Sequence, residues 1–257
     1  MPAHDRSPNG TPCWVELFTS DPEAAKAFYG TLFGWVAEAP NPAFGGYTNF
    51  TSGGVRVAGL MRNDGGQGAP DFWTTYLAVP DAVATVEAAT AAGGQVHVPV
   101  MPVEDLGVMA AVTDPSGAFI GFWQPGTHKG YGRVAEVGAP CWHELHTRDY
   151  AAALGFYRTV LGWETKEIGD TDEFRYTTMT GGEEQYAGIM DASAYLPEGT
   201  PSFWEVYFGV EDADASVGVV ERLGGKVLEP AVDTPHGRMA RVADPTGATF
   251  KIVAGSS

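Results

Sequence analysis

The chain has 257 residues, 44% of them hydrophobic and 18% charged, a globular composition with room for one large core or two ordinary domains. Its 32 acidic against 15 basic residues give a formal net charge of -17, and so acidic a surface repels phosphate backbones and anionic lipid, which excludes nucleic acid and membranes as expected partners. No apolar run approaches a membrane span, and the opening MPAHDRSPNG is too polar for a signal peptide, so a cytoplasmic location is expected.

Residues 1–9 are expected to be a disordered tail. From Gly10 to Trp35 the chain reads GTPCWVELFTSDPEAAKAFYGTLFGW, and Gly138 to Trp163 repeats it without a gap as GAPCWHELHTRDYAAALGFYRTVLGW. Self-similarity on this scale means a duplicated unit. Within the first copy Cys13, Val15 and Leu17 alternate with Trp14, Glu16 and Phe18, the pattern of a strand with two different faces. Asp21-Pro22-Glu23 predicts a helix start, with a capping side chain, a proline in the first turn and an acid at the positive end. Ala25, Phe28, Tyr29 and Leu32 follow at helical spacing, and Gly34 terminates. The helix needs the Cys13/Val15/Leu17 face to pack on, which leaves Trp14, Glu16 and Phe18 on the open face. In the second copy that open face carries Trp142, Glu144 and His146. Cys13 and Cys141 fall at matching helix-facing places; buried reduced thiols are expected there, with a disulfide between them as the alternative.

Residues 44–60 read as short strands joined by glycine turns, and 62–69 as a polar link. A different unit then begins. Phe72 to Val79 is a strand, Asp81 to Ala92 a helix stopped by Gly93-Gly94, and Asp114-Pro115-Ser116-Gly117 a turn between two final strands. The same order recurs at Phe203 to Tyr207, Asp212 to Leu223, Gly224-Gly225 and Asp244-Pro245-Thr246-Gly247. Residues 126–137 are the linker candidate. Four strand–helix–strands units with helices held to one face make an α+β protein. The uncovered faces form concave surfaces, with Trp14, Glu16, Phe18, Thr74 and Tyr76 in one half and Trp142, Glu144, His146, Glu205 and Tyr207 in the other.

The Asp-initiated helix ending Phe156-Tyr157…Leu161-Gly162-Trp163, the strand exits at Val79 and Val210, the Gly-Gly helix ends and the Asp-Pro-x-Gly hairpins, in this order and twice over, resemble the vicinal oxygen chelate superfamily of glyoxalases, bleomycin-resistance proteins and extradiol dioxygenases. Pro-Cys-Trp-x-Glu-Leu is similar to the tandem actinobacterial group related to a mycobacterial 27 kDa antigen and often labelled hydroxylases, some of whose members sit in antibiotic pathways. The resemblance implies four βαβββ modules (10–62, 70–124, 138–191 and 200–254) in two domains, 10–125 and 138–255, with two clefts. Either sequential modules or the first and fourth pair to form each cleft. The superfamily's metal positions fall on Trp14, Thr74 and Gly121 in one half and on Trp142, Glu205 and Lys251 in the other. An indole, a hydroxyl, a glycine and an ammonium do not make a divalent-metal ligand set, so neither a metal nor any other cofactor is expected.

His143 points away from Glu144 and His146. Glu144, His146 and Glu205 converge in one cleft as a hydrogen-bonding set, as an unorthodox metal site or as structural groups. Glu16 and Glu144 sit among aromatics, where a raised pKa suits acid–base work; satisfying strand hydrogen bonds is the alternative. Trp14, Phe18, Trp73, Tyr76, Trp142, Trp204 and Tyr207 suit a pocket for a flat apolar ligand, against which stands ordinary core packing for any one of them. His4 and His128 are expected in solvent, and His97 and His236 near loops. The reading is a metal-independent protein, monomer or homodimer, that binds a small aromatic or apolar metabolite or antibiotic. Trp14, Glu16, Phe18, Trp73, Thr74, Tyr76, Trp142, Trp204, Glu205, Tyr207 and Lys251 are its candidate ligand-binding residues. The alternative is a lyase, isomerase or hydroxylase using Glu144 and His146 as acid and base, or a metal at Glu144, His146 and Glu205.

Overall fold

The computed structural model describes residues 7–66, 69–171, 173–181 and 183–255. Residues 1–6 of the expected tail, with His4, lie outside them, whereas Ser7 is buried and the Pro8 carbonyl accepts the Thr11 hydroxyl. The first half runs β1 (Pro12–Thr19), α1 (Pro22–Phe33), β2 (Val36–Ala37), β3 (Thr48–Ser52), β4 (Val55–Arg62), β5 (Phe72–Ala78), α2 (Ala82–Ala91), β6 (Gln95–Val103), β7 (Gly107–Thr113) and β8 (Phe119–Pro125). The second repeats it as β9 (Pro140–Thr147), α3 (Tyr150–Leu161), β10 (Glu164–Asp170), β11 (Arg175–Gly181), β12 (Glu184–Asp191), β13 (Phe203–Val210), α4 (Ala213–Arg222), β14 (Lys226–Thr234), β15 (Gly237–Ala243) and β16 (Thr249–Ala254). No helix among the described residues is long and apolar enough to cross a membrane.

Local chemistry sets the helix ends. Asp21, Asp81, Asp149 and Asp212 each accept a hydrogen bond from the backbone N–H three residues on, at 3.0–3.1 Å, which satisfies one of the donors that every helix start leaves open. Gly34 and Gly162 close α1 and α3 in the left-handed conformation, where a β-carbon would be strained.

Each half is one eight-stranded sheet. The orders are β2-β3-β4-β1-β5-β8-β7-β6 and β10-β11-β12-β9-β13-β16-β15-β14. The first strands of two consecutive modules, β1 with β5 and β9 with β13, pair antiparallel at the sheet centres. Sequential modules therefore share each cleft.

The helix-side faces pair differently. One apolar cluster joins Cys13, Leu17, Phe28 and Tyr29 of the first module to Phe208, Val220 and Phe250 of the fourth. The other joins Leu77, Val79 and Ile120 of the second to Leu145, Phe156 and Tyr157 of the third. The repeated motifs lock these junctions. Tyr29 receives the Trp73 indole N–H at 3.0 Å and donates to Asp244 Oδ2 at 3.0 Å. Tyr157 receives that of Trp204 at 2.9 Å and donates to Asp114 Oδ2 at 3.0 Å. Trp35 and Trp163 donate to the Gly138 and Gly10 carbonyls of the opposite half. Trp73 and Trp204 thus belong to the buried junction and not to the clefts, which corrects their expected ligand-binding role. They alternate with Thr74 and Glu205 along the strand and so face the helices.

Both cysteines are free thiols, Cys13 buried and Cys141 half-buried, and burial pushes the Cys141 thiol up to about 12. Residues 126–137 are folded against the first half: Tyr131 is buried, its N–H reaches the Cys13 carbonyl at 2.8 Å, and Gly132 N–H reaches that of Arg56 at 3.0 Å.

Candidate functional site in the N-terminal cleft

Because β1 and β5 pair in register, Trp14 faces Tyr76, Glu16 faces Thr74, and Phe18 stacks on Phe72 with ring centres 5.3 Å apart. The open face expected for these residues is the floor of a cavity of about 850 Å³, within the range of small-molecule sites. Trp14, Glu16, Phe18 and Tyr76 line it directly; Thr74 is buried on the same face. Its walls include Phe44 and Tyr47 on one side and Leu106, Met109 and Trp123 on the other.

His128 closes the cavity from residues 126–137. Its ring meets Trp14 edge-on at 4.5 Å and its carbonyl accepts the Trp123 indole N–H. The expectation of a solvent-exposed His128 is corrected: the ring is half-buried, and desolvation pulls its pKa down to about 4, so it is neutral at physiological pH.

Glu16 is buried, and Tyr76 donates to its Oε1 at 3.3 Å. Desolvation pushes its pKa up to about 7 against the pull of hydrogen bonds from Tyr47 and Tyr76. Tyr47 in turn accepts the Trp14 indole N–H at 3.0 Å. A β-carbon on Gly59 would lie 1.8 Å from the Tyr47 hydroxyl, and one on Gly121 2.3 Å from the Tyr76 ring. Both glycines are therefore places where a phenol lies against backbone.

The C-terminal cleft repeats this frame with other chemistry on it. Trp142 donates to Tyr176 at 3.1 Å, Tyr176 to Glu144 at 2.8 Å, and Tyr207 to Glu144 at 2.7 Å. Opposite Glu144, where the first half has Thr74, stands Glu205. Two carboxylates so placed repel each other, and cations compensate them. Arg241 grips Glu205 at 2.7 and 3.0 Å, while Lys251 donates to the Tyr207 hydroxyl at 2.9 Å and lies 3.9 Å from Glu144. His146 stacks on Phe203, bonds Tyr195 through Nδ1 at 2.7 Å, and brings Nε2 to 3.1 Å from Glu144 and 3.6 Å from Glu205. Burial pushes the Glu144 carboxyl up, but His146, Lys251 and Tyr207 outweigh it and hold the group down at about 2. Twin glutamates thus carry opposite preferences: Glu16 keeps its proton toward neutrality beside an open cavity, and Glu144 is held ionised in a bonded network.

His143 does lie on the opposite face. It bonds Thr75 at 3.0 Å and Tyr131 at 3.2 Å, and burial drops its pKa to about 3, which makes it a neutral core histidine.

Neither cleft suits a divalent metal. In the first, the Trp14 indole N–H is spent on Tyr47, Thr74 offers one hydroxyl, and the Tyr76 ring covers Gly121. In the second, Glu144, His146 and Glu205 do converge, but the Arg241 and Lys251 cations already neutralise both carboxylates and would repel an added ion. Among the described residues no group of three or more His, Cys, Asp or Glu side chains is arranged to hold a metal ion.

The profile of the Glyoxalase/Bleomycin resistance protein/Dioxygenase superfamily matches residues 13–122 and 140–252, one span per half. The chain belongs to that superfamily. Within the glyoxalase/bleomycin-resistance superfamily it is 38% identical, over 98% of both chains, to CFP32 of Mycobacterium tuberculosis (strain CDC 1551 / Oshkosh), a protein with a provisional glyoxylase name. It is 37% identical to the anthracycline biosynthesis protein DauV of Streptomyces sp. (strain C5), covering 95% of this chain and 93% of that one. Among solved structures, the Mn(II)-bound glyoxalase from Novosphingobium aromaticivorans superposes with a TM-score of 0.64 at 17% identity, over 95% of this chain and 81% of that one. The 2,3-dioxygenase LapB from Pseudomonas sp. KL28 does so with a TM-score of 0.64 at 16% identity, over 96% and 92%. At such identities the likeness is one of fold.

Sequence reasoning missed several groups. Tyr47 and Tyr176 had a signal, a Tyr-Thr pair at corresponding places of the two halves. Arg241 had none, because its place beside Glu205 follows from the pairing of β15 with β16, which sets it opposite Lys251.

Proposed function

We propose that the N-terminal cleft binds a small, flat, largely apolar aromatic molecule without a metal, and that the C-terminal cleft is a structural counterpart. The observation that carries this reading is the cavity of about 850 Å³ lined by Trp14, Phe18, Phe44, Tyr76, Met109 and Trp123, with Glu16 as its buried polar group. Apolar walls with one or two placed polar groups are the usual make-up of a small-molecule site. Kinship with an anthracycline biosynthesis protein is consistent with a polycyclic aromatic ligand. Handling such a molecule in secondary metabolism or self-protection follows from the same reading, with no nucleic acid or membrane partner and the chain acting as a monomer or homodimer in the cytoplasm.

A second reading, catalysis, is favoured by the place of Glu16: a carboxyl that burial pushes up to about 7 beside a cavity is matched to proton transfer at physiological pH. The acid–base group would then be Glu16. Glu144, held near 2, is too weak a base and too strong an acid for that task.

Titration of tryptophan fluorescence with 1,8-dihydroxyanthraquinone tests the binding reading. Saturable quenching is expected, with affinity weakened about tenfold or more in Phe44→Ala, the loss of one aromatic wall. Quenching that is linear and identical in the two proteins would refute it.

A further inference from the structure

Thr74 stands directly across the strand pair from Glu16. Its side chain is on the cleft side of the sheet, 1% exposed, and its hydroxyl has no hydrogen-bond partner among the described residues. Buried polar groups are nearly always paired, and an orphan calls for a missing partner. In the other half the same place holds Glu205, both of whose oxygens accept from Arg241 Nε. The cross-strand place that is unmet beside Glu16 is thus filled by an ion pair beside Glu144, where the unpartnered buried atom among the described residues is His146 Nε2 instead.

Glu16 complements it. Both phenols beside it, Tyr47 and Tyr76, are pushed by burial well above their ordinary pKa and stay protonated, so each can donate to the carboxyl. With its acceptor sites met in this way, a neutral carboxyl has one proton left to offer, directed away from the phenols. A second donor, the Thr74 hydroxyl, belongs to the residue directly opposite on the paired strand.

We propose that Glu16 and Thr74 act together as a pair of hydrogen-bond donors for one carbonyl oxygen of the bound molecule, so that the ligand is an aromatic ketone or quinone. The inference rests on the binding reading above and names its substrate class. Two donors from adjacent strands fit one oxygen with two lone pairs. An anionic acceptor is disfavoured, because Glu38, Glu104 and Asp105 also line the cavity and its one arginine, Arg56, is already paired with Glu38 at 2.9 Å. Burial pushes Glu16 up to about 7, so the carboxyl keeps the proton it must donate through the acidic range. A buried carboxylic acid kept neutral to serve as a donor is an established device for polarising carbonyl groups. The same pair would therefore draw electron density toward the carbonyl oxygen and acidify adjacent C–H bonds.

The test compares 9-fluorenone with fluorene, the same ring system without the oxygen, by fluorescence titration of the full chain. At pH 6 the ketone is expected to bind about tenfold tighter, the worth of one good hydrogen bond to a buried site. That advantage shrinks as the pH rises through about 7. In Glu16→Gln, which keeps an N–H donor, it becomes independent of pH. Thr74→Val loses part of it and Thr74→Ser retains it, and the carbonyl stretch of bound fluorenone falls in frequency less in Thr74→Val than in the unmodified chain. Equal binding of ketone and hydrocarbon would remove the donor pair and leave the aromatic cleft standing. Absence of binding by either would overturn both. An advantage unaltered by pH in the unmodified chain would remove Glu16 from the pair.

Discussion

Replacing Glu16 by Gln makes the protein more stable, and only above a definite pH. Glu16 has an ordinary value of 4.5 and about 7 in the fold, where desolvation dominates. Below about 4.5 the carboxyl is protonated in folded and unfolded chains alike, and contributes nothing to the pH dependence of stability. Between the two values the unfolded chain releases the proton and the folded chain keeps it, so stability declines with rising pH by about 1.4 kcal/mol per pH unit. Above about 7 both forms are ionised and the deficit levels off at about 3 kcal/mol. Glutamine cannot ionise and keeps an oxygen for the Tyr47 and Tyr76 hydroxyls. Urea denaturation followed by tryptophan fluorescence at pH 5, 6, 7 and 8 reads the difference between the two proteins. It is expected to be small at pH 5, to grow with pH, and to flatten by pH 8. A difference that is constant across this range, or that grows toward acid, would refute the assignment of Glu16 as a desolvated carboxyl.

The twin position runs the other way. Glu144 is depressed from 4.5 to about 2, so it contributes about 3 kcal/mol of stability above pH 4.5 that is lost as the pH falls toward 2; Glu144→Gln costs that much at pH 7 and little at pH 2.5, as denaturation at the two pH values would read. At the junction of the halves, Tyr29→Phe strands the Trp73 N–H and Asp244 Oδ2, and Tyr157→Phe strands the Trp204 N–H and Asp114 Oδ2. Each change is expected to cost about 2–4 kcal/mol from two unmet buried groups. Because the two networks make the same bonds at lengths that agree within 0.1 Å, the two costs agree; a large disparity in chemical denaturation would contradict a symmetric junction.

Much of this architecture was legible in the chain. The alternation of Cys13, Val15 and Leu17 with Trp14, Glu16 and Phe18 placed the open face, and the four capping aspartates placed the helices, because both are local, periodic signals. Trp73 and Trp204 misled for the opposite reason: aromatic composition suggested a pocket where strand parity put them against the helices. The inequality of the clefts was legible only in part. Gly121 against Lys251 was visible from the turn spacing, but the other half of the difference, Ala111 standing where Arg241 reaches Glu205, needs the register of three strands. His128 was hidden for a related reason, since a Gly-rich stretch carries no periodicity to say that it folds back on Trp14. Which modules pair had two answers, one for the clefts and one for the cores, and the repeat alone gives neither.

The central claim is that one cleft of the two is the binding site. Isothermal titration with 1,8-dihydroxyanthraquinone tests it through stoichiometry. One molecule should bind per chain. Met109→Trp, which fills the N-terminal cavity, should abolish binding, and Tyr195→Ala, at the exposed edge of the C-terminal network, should leave it intact. Two molecules per chain, or binding that survives Met109→Trp and is lost in Tyr195→Ala, would contradict the account.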